Sequence, residues 1–370
     1  MRKAIYRGSG EEGRALFVRA PVVHLATTNE AGDPILRSLH GVLEGDALYF
    51  HGAPAGEKMA GIGKRAVVSV EEVVASIPSW FVDPVKACPA TTYYVSAQAH
   101  GIIEEVDDLD EKARALALLM AKYQPEGGYA PIVASDPLYR KAIAGLLVAR
   151  VRIDTLDCKT KLGQNRSPEE RRRILEHLWQ RGRPEDVRAI AFLLERWRDV
   201  ATPSFLADAP VGVSLELACP TDEAIALLDG AYWLVGVPAE DIRRALDNST
   251  AIVAARDAEG SLLAFARALS DGKTAWIYDV IVAERARSTG VGGMLMKLLL
   301  DHPAVRTARH VRLTTRDAMR FYQRLGFCDL AGSKWRPWPV TDMIRFRSER
   351  ETERRAGVSR TDGRDDARLA

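Results

Sequence analysis

The segment Arg287-Ser288-Thr289-Gly290-Val291-Gly292 holds the residue types and spacing that most directly suggest chemistry. It follows an apolar, strand-like run at 275–282 and precedes a helical run at 293–301. The first turn of a helix leaves backbone N–H groups unpaired, and the macrodipole adds partial positive charge there. Glycine lets the backbone approach a ligand with no Cβ in the way, and Arg287 adds a permanent cation. The chemistry that fits is binding of a phosphate or pyrophosphate. Taken alone the loop leaves a second reading open, because many strand–loop–helix joints carry two glycines and bind nothing.

The elements that must position this loop start well before it. The first half of the sequence reads as short strands separated by turns: 22–28, then the turn Asn29-Glu30-Ala31-Gly32-Asp33-Pro34, then 35–43, the turn Glu44-Gly45-Asp46, and 47–51. Runs at 66–70 and 92–106 supply further strands, and hairpin spacing of this kind predicts an antiparallel barrel or sandwich. Helical periodicity appears at 110–123 and 137–146, and residues 147–153 end in the alternation of a half-buried strand. Ser167-Pro168-Glu169-Glu170 opens a helix that runs to about Gln180, and Arg183-Pro184-Glu185-Asp186 opens another that ends near Arg198. From Val213 the order becomes strand, helix, strand, strand, helix, strand, helix, the pattern of an α/β domain. The expected organisation is a first domain at 1–200, a linker at 201–212 around Pro203 and Pro210, and a second domain at 213–346. A charged tail at 347–370 is expected to be disordered.

Composition narrows the function classes. The 370 residues suit two domains, and 47% apolar content is enough for two cores. A net charge of +2 suggests no dedicated nucleic-acid or membrane partner. Cys88, Cys158, Cys219 and Cys328 show no CxxC spacing, which fits a reducing compartment better than a disulfide scaffold or a zinc site. No metal site is expected. With no long apolar run after the polar first ten residues, a soluble cytoplasmic protein is the expectation.

Two resemblances sharpen this reading. Arg287-x-x-Gly290-x-Gly292 after an apolar strand resembles the pyrophosphate-binding motif of the GNAT (Gcn5-related N-acetyltransferase) family. Ala318-Met319-Arg320-Phe321-Tyr322-Gln323-Arg324-Leu325-Gly326-Phe327 is similar to that family's late helix, with Val311-Arg312-Leu313-Thr314-Thr315 as the strand between. The resemblance covers about 213–346 and implies an acetyl-CoA-dependent N-acetyltransferase acting on a small amine. It places the pyrophosphate on Arg287, Ser288, Thr289, Gly290, Val291 and Gly292, and the pantetheine arm along the open strand edge at Val280 to Val282. It implies Tyr322 as the acid that protonates the departing thiolate. Asp279 becomes the best-placed carboxylate to act as base, with pairing to a nearby arginine as the alternative. Tyr232, Trp233, Arg267, Asp271 and Asp317 are weaker candidates for lining the acceptor pocket. The sequence departs from the family at Ala283, where proline is usual, at Ala286, where an aromatic is common, and at Ser288-Thr289, where Gly-Lys or Gly-Arg is frequent. The last departure removes a cation.

In the first half, His51-Gly52-Ala53-Pro54-Ala55-Gly56-Glu57-Lys58 resembles the H-x-x-x-x-G-x-K segment of pyridoxamine 5′-phosphate oxidase-like FMN-binding split barrels, a group that includes nitroimidazole-resistance proteins. Lys161-Leu162-Gly163-Gln164-Asn165-Arg166 is similar to their Lys-x-x-Gln-Asn run, and Thr91-Thr92-Tyr93-Tyr94-Val95-Ser96 also resembles a family segment. The resemblance covers about 1–198. It implies FMN held by Arg37, Ser38, His51, Lys58, Lys161, Gln164 and Asn165, with NAD(P)H as an electron donor and a homodimer with flavin at its interface. Barrels of this group also take haem, deazaflavin or nothing, and His24, His40 and His100 keep haem open. The implied fold is an antiparallel split β-barrel with helices, followed by an α/β GNAT fold with a mixed sheet. The implied function is a bifunctional enzyme, oxidoreductase and acetyltransferase. The alternative is an acetyltransferase regulated by a barrel that senses a ligand and performs no chemistry.

Overall fold

A computed structural model describes residues 4–330, with the side chains of Glu57 and Lys58 excepted. The expected end of the second domain and the expected tail at 347–370 lie outside the described residues. In the first half, α1 (Gly10–Arg19) leads into β1 (Val23–Thr28), β2 (Pro34–Leu39), β3 (Val42–Glu44), β4 (Ala47–Gly52), β5 (Arg65–Ile77) and β6 (Thr91–Glu105). Then come α2 (Leu109–Tyr123), α3 (Pro137–Gly145), β7 (Leu147–Lys161), α4 (Pro168–Arg181) and α5 (Pro184–Arg196). The strands form one antiparallel sheet in the order β2-β1-β5-β6-β7-β4-β3.

This order forces the sheet to curl. β2 and β3 sit at opposite edges, yet only His40 and Gly41 separate them in the chain. The three Cα steps from Leu39 to Val42 reach about 11 Å. In a flat sheet of this size the edges would stand about 29 Å apart, six spacings of about 4.8 Å. The edges are therefore drawn together into a barrel whose seam has no ladder between β2 and β3. Leu25, Phe50, Val68, Val95 and Val151, from five strands, meet in one buried core closed by Leu16 and Phe17 of α1. The continuous strand expected at 35–43 is thus broken at His40–Gly41, where the chain crosses the seam. β5 and β7 are longer than expected, and β7 runs on to include Lys161.

The second half comprises β8 (Val213–Glu216), α6 (Thr221–Leu228), α7 (Ala239–Asp247), β9 (Ala251–Asp257), β10 (Leu262–Ser270), β11 (Thr274–Val282), α8 (Val291–Asp301), the short α9 (Pro303–Arg306), β12 (His310–Arg312) and α10 (Met319–Gln323). Its sheet has the order β12-β11-β10-β9-β8, antiparallel except for the parallel pair β11–β12. The sequence pattern missed α6 and β9. Ala251-Ile252-Val253-Ala254-Ala255 lacks a period of two because most of it is buried, as in a strand covered on both faces. Phe265 packs with Leu228 of α6 and Leu246 of α7, while Leu295 and Leu299 of α8 are also fully buried.

The chain folds into one compact unit up to Thr314, which holds both sheets, and a second that begins at Thr315 and contains α10. The sheets share a unit because α4 docks on the end of α8. Ser167 caps α4 with a full capping box, and Gly182 ends it in the left-handed conformation at φ 63°. A Cβ at Gly182 would stand 2.7 Å from Pro303, so glycine permits the approach. Trp179 donates its indole N–H to Asp301 at 2.7 Å, and Arg306 donates to the carbonyls of Trp179 and Gln180 at 2.5 and 3.0 Å.

Candidate functional site

The loop at 287–292 is delivered by β11 and opens α8. Gly290 is the N-cap residue at φ 93° and no side chain caps the helix. A Cβ added at Gly290 or at Gly293 would meet nothing within 4 Å, so the backbone at this helix start lies open. Ser288 takes a left-handed conformation at φ 65°, which an L side chain rarely adopts. The Thr289 hydroxyl donates to the carbonyl of Ala286 at 2.7 Å and pins the loop from within. Arg287 is exposed, with its guanidinium near Glu284 at 3.4 Å and donating to the carbonyl of Val282 at 3.4 Å. A helix start with no side-chain cap, open glycines and one nearby cation suits an anion.

The adjoining strand edge is open as well. β12 pairs with β11 only at Thr274, Ala275 and Trp276, so β11 runs on from Ile277 to Val282 without a neighbour on that side among the described residues. Val280 and Val282 lie on this half-buried stretch. Such an edge can accept an extended ligand through backbone hydrogen bonds, as in strand addition. Ala283 donates its N–H to the carbonyl of Leu263 at 2.8 Å, which ties the end of β11 to β10.

Asp279 sits in a bulge of β11. Tyr278 faces Arg267 and Ile281 faces Phe265, so two residues of β11 oppose one of β10. Asp279 takes φ 52°, the other non-glycine residue of positive φ among those described. Its side chain is 6% exposed and both carboxylate oxygens are engaged. Oδ2 accepts from Arg267 Nε at 2.5 Å, and Oδ1 accepts from the indole N–H of Trp233 at 3.0 Å. Of the two alternatives raised by the sequence, the arrangement is the ion pair with an arginine rather than a carboxylate standing clear as a base. Arg267 is itself buried, lies 4.9 Å over the Tyr278 ring, and reaches the carbonyl of Ala245 at 3.4 Å. Tyr278 was not singled out by the sequence. Its signal is the pair Trp276 and Tyr278, alternate residues on one face of a strand and too bulky and exposed for a simple core.

The remaining candidates separate. Asp271 accepts from the backbone N–H groups of Thr274 and Lys273, which hold its carboxyl below the usual range, so it shapes the β10–β11 turn. Tyr322 lies in α10 of the second unit, buried at the residue level, with its ring edge-on to Phe321 and Phe327. Asp317 pairs with Arg316 in the same unit.

In the barrel, the expected flavin residues fall into two groups. Arg37 and Ser38 are exposed on β2, and His51 is exposed near the end of β4. The backbone of Lys58 belongs to a 3₁₀ turn at Glu57–Gly61, while its side chain lies outside the description. That turn packs on β1, where a Cβ on Gly61 would stand 3.1 Å from the hydroxyl of Thr27. Thr27 Oγ1 is buried with no hydrogen-bond partner, and Gly56, at φ 91°, has nothing within 4 Å of a would-be Cβ. An orphaned hydroxyl, an open glycine turn and exposed Arg37 suit a phosphate-bearing ligand.

Lys161, Gln164 and Asn165 lie elsewhere. His51 pairs with Val148, and Lys161 is thirteen residues farther along β7 (161 − 148). At about 3.3 Å per residue that is about 43 Å along the strand. Lys161 donates to the Thr91 hydroxyl at 2.5 Å. The Gln164 amide is spent on the turn: it donates to the Thr160 carbonyl at 2.7 Å and accepts from Leu162 N–H at 2.8 Å. One protomer therefore sets Lys161 far along β7 from the row that holds His51. The three histidines weighed as haem ligands each have a protein contact. His24 contacts Ser38 at 3.1 Å, His40 stacks on Tyr123 at 4.4 Å, and His100 lies 3.9 Å from Asp157. No group of three or more His, Cys, Asp or Glu among the described residues could hold a metal ion, and no described helix is long and apolar enough to cross a membrane.

Two family models match separate parts of the chain. The pyridoxamine 5′-phosphate oxidase family model matches residues 9–160, and the acetyltransferase (GNAT) family model matches residues 221–327. Among solved structures, the chain is similar to a candidate 5-nitroimidazole antibiotic resistance protein from Bacteroides thetaiotaomicron, at 19% identity over 42% of this chain and 85% of that one, TM-score 0.34. It is similar to the FAD and heme binding protein from Mycobacterium smegmatis, at 25% identity over 42% and 72% of the two chains, TM-score 0.36. It is also similar to a candidate GNAT-family acetyltransferase from Xanthomonas campestris pv. campestris, at 28% identity over 32% and 84%, TM-score 0.30. No curated protein sequence matches the chain.

Proposed function

We propose that this chain, which joins a pyridoxamine 5′-phosphate oxidase-like domain to a GNAT-family domain, is an N-acetyltransferase that uses acetyl-CoA and acetylates a small amine. The observation that carries the proposal is the uncapped, open start of α8 beside the unpaired edge of β11. The anion site takes the pyrophosphate of acetyl-CoA, and the edge at Val280 to Val282 takes the pantetheine arm. A neutral amine nitrogen then attacks the thioester carbonyl carbon. The C–N bond forms, the C–S bond breaks, and the nitrogen gives up a proton while the departing thiolate takes one. Tyr322 is the proposed donor to the thiolate. With both oxygens of Asp279 already accepting hydrogen bonds, its proposed part is to hold the bulge and Trp233 in place, and water carries the amine's proton away. Tyr322→Phe is expected to lower turnover at least tenfold while acetyl-CoA binding stays as in the wild type. Unchanged turnover would remove Tyr322 as the acid.

For the barrel we propose a flavin site at the homodimer interface. Arg37, Ser38, His51 and Lys58 of one subunit would serve the same FMN as Lys161 and Asn165 of the other. The separation of His51 from Lys161 along β7 supports this arrangement. Bound FMN would supply electron transfer between NAD(P)H and an acceptor. Arg37 and the Gly56 turn would hold its phosphate, and Thr27 would offer its buried hydroxyl. Purified protein that is yellow and oxidises NADH or NADPH with an electron acceptor supports an oxidoreductase. Protein that is yellow but inert to both donors favours a barrel that senses flavin and regulates the acetyltransferase.

A further inference from the structure

The rings around Asp279 form an unbroken series of contacts at the open end of β11. Tyr232 lies edge-on to Trp233 at 5.0 Å. Trp233 donates to Asp279, Asp279 pairs with Arg267, and Arg267 lies over Tyr278. Tyr278 stacks on Trp276 at 6.2 Å, and Arg312 lies 4.5 Å over Trp276. Core aromatics of this domain are buried, as Phe265 is, whereas Tyr232, Trp233 and Tyr278 are 39%, 39% and 38% exposed. Exposure alone says little, since Trp80 is also exposed. The difference is that these rings join one network, built on a residue held in the left-handed conformation beside the unpaired strand edge.

The charge of that network is informative. Its carboxylate, Asp279, is neutralised by a buried guanidinium, which is itself held by the carbonyl of Ala245 near the end of α7. An aliphatic polyamine presents several cations and little else, and it needs uncommitted carboxylates to replace its hydration. Here the exposed surface belongs to Tyr232, Trp233 and Tyr278. We propose that the acceptor is a primary amine carried on an aromatic or otherwise planar apolar body, selected by packing against the exposed parts of Trp233, Tyr232 and Tyr278. The inference rests on the acetyltransferase reading for its place beside the thioester, and the two can fail separately.

The test uses the full chain with CoA present and two probes, 2-phenylethylamine and 1,6-diaminohexane, titrated by calorimetry and then used as acceptors with acetyl-CoA. Phenylethylamine is expected to bind at least tenfold more tightly than the diamine. Trp233→Ala should weaken it about tenfold, seen in KM rather than kcat, and weaken the diamine by no more than about threefold. Trp233→Phe keeps a ring while removing the indole N–H, and should retain most of the preference. Equal or tighter binding of the diamine, equal weakening of both amines by Trp233→Ala, or no binding of either would overturn the inference. Faster acetylation of the diamine would do the same while leaving the acetyltransferase reading intact. A protein that binds phenylethylamine selectively but never binds acetyl-CoA would keep the aromatic site and overturn that reading.

Discussion

Ser288 shows how a departure from a family pattern can be read as backbone strain. The position takes φ 65°, where glycine is at ease and serine is not. A left-handed residue with a Cβ costs about 1–2 kcal/mol, and glycine returns part of that by enlarging the unfolded ensemble. Ser288→Gly is therefore expected to stabilise the protein by about 0.5–1 kcal/mol net in chemical denaturation. A destabilised variant would mean that the serine side chain holds the loop. Other residues were less legible. Asp279 was visible as a carboxylate near a strand end, but its partner Arg267 is twelve residues away on the neighbouring strand (279 − 267). Only the bulge brings the two into contact, and no local pattern predicts a bulge there. Gln164 was read as a ligand residue from a motif, yet both ends of its amide are used within the turn it belongs to.

At the scale of elements, the start of α8 and the open edge of β11 form one device, and Ala283 is its hinge pin. The family usually has proline here, and φ −52° at Ala283 would admit one. Its N–H, however, donates to Leu263 at 2.8 Å. Ala283→Pro should therefore cost about 1–2 kcal/mol by equilibrium unfolding, as a part-buried carbonyl loses its donor. A neutral or stabilising result would show that the hydrogen bond contributes nothing. The sequence exposed these elements well where local rules act. The Ser167 start, the Pro184 start and the alternation at the beginning of β7 were all readable. It failed where tertiary structure overrides periodicity. Residues 35–43 look continuous because the seam between β2 and β3 leaves no local mark. β9 shows no alternation because helices cover both its faces.

At the scale of the molecule, the two sheets share one unit through Trp179, Asp301, His302 and Arg306. His302 lies edge-on to Trp179 at 5.6 Å, and its Nδ1 accepts from Ala304 N–H at 3.2 Å, which requires the neutral ring. Burial, with help from the Arg306 charge, lowers its pKa from 6.5 to about 4. Between those values the unfolded chain binds a proton that the folded chain refuses. The stabilisation is thus complete above about pH 6.5 and is lost as pH falls toward about 4. It should amount to about 2 kcal/mol between about pH 7 and about pH 5. His302→Gln, which can still accept from Ala304, is expected to lose that much less stability over the same interval in denaturant titrations. An identical pH dependence would place the histidine in water rather than at the junction.

The central claim is that the start of α8 holds the pyrophosphate of acetyl-CoA, and calorimetric titration of acetyl-CoA into the wild type and Gly292→Glu tests it most directly. A glutamate in the first turn suits the helix dipole, so the variant should fold and keep its melting temperature. Placed against a pyrophosphate, the same carboxylate repels it. The account predicts saturable binding to the wild type and no detectable binding to folded Gly292→Glu. Binding of wild-type strength to the variant, or none to the wild type, would contradict it.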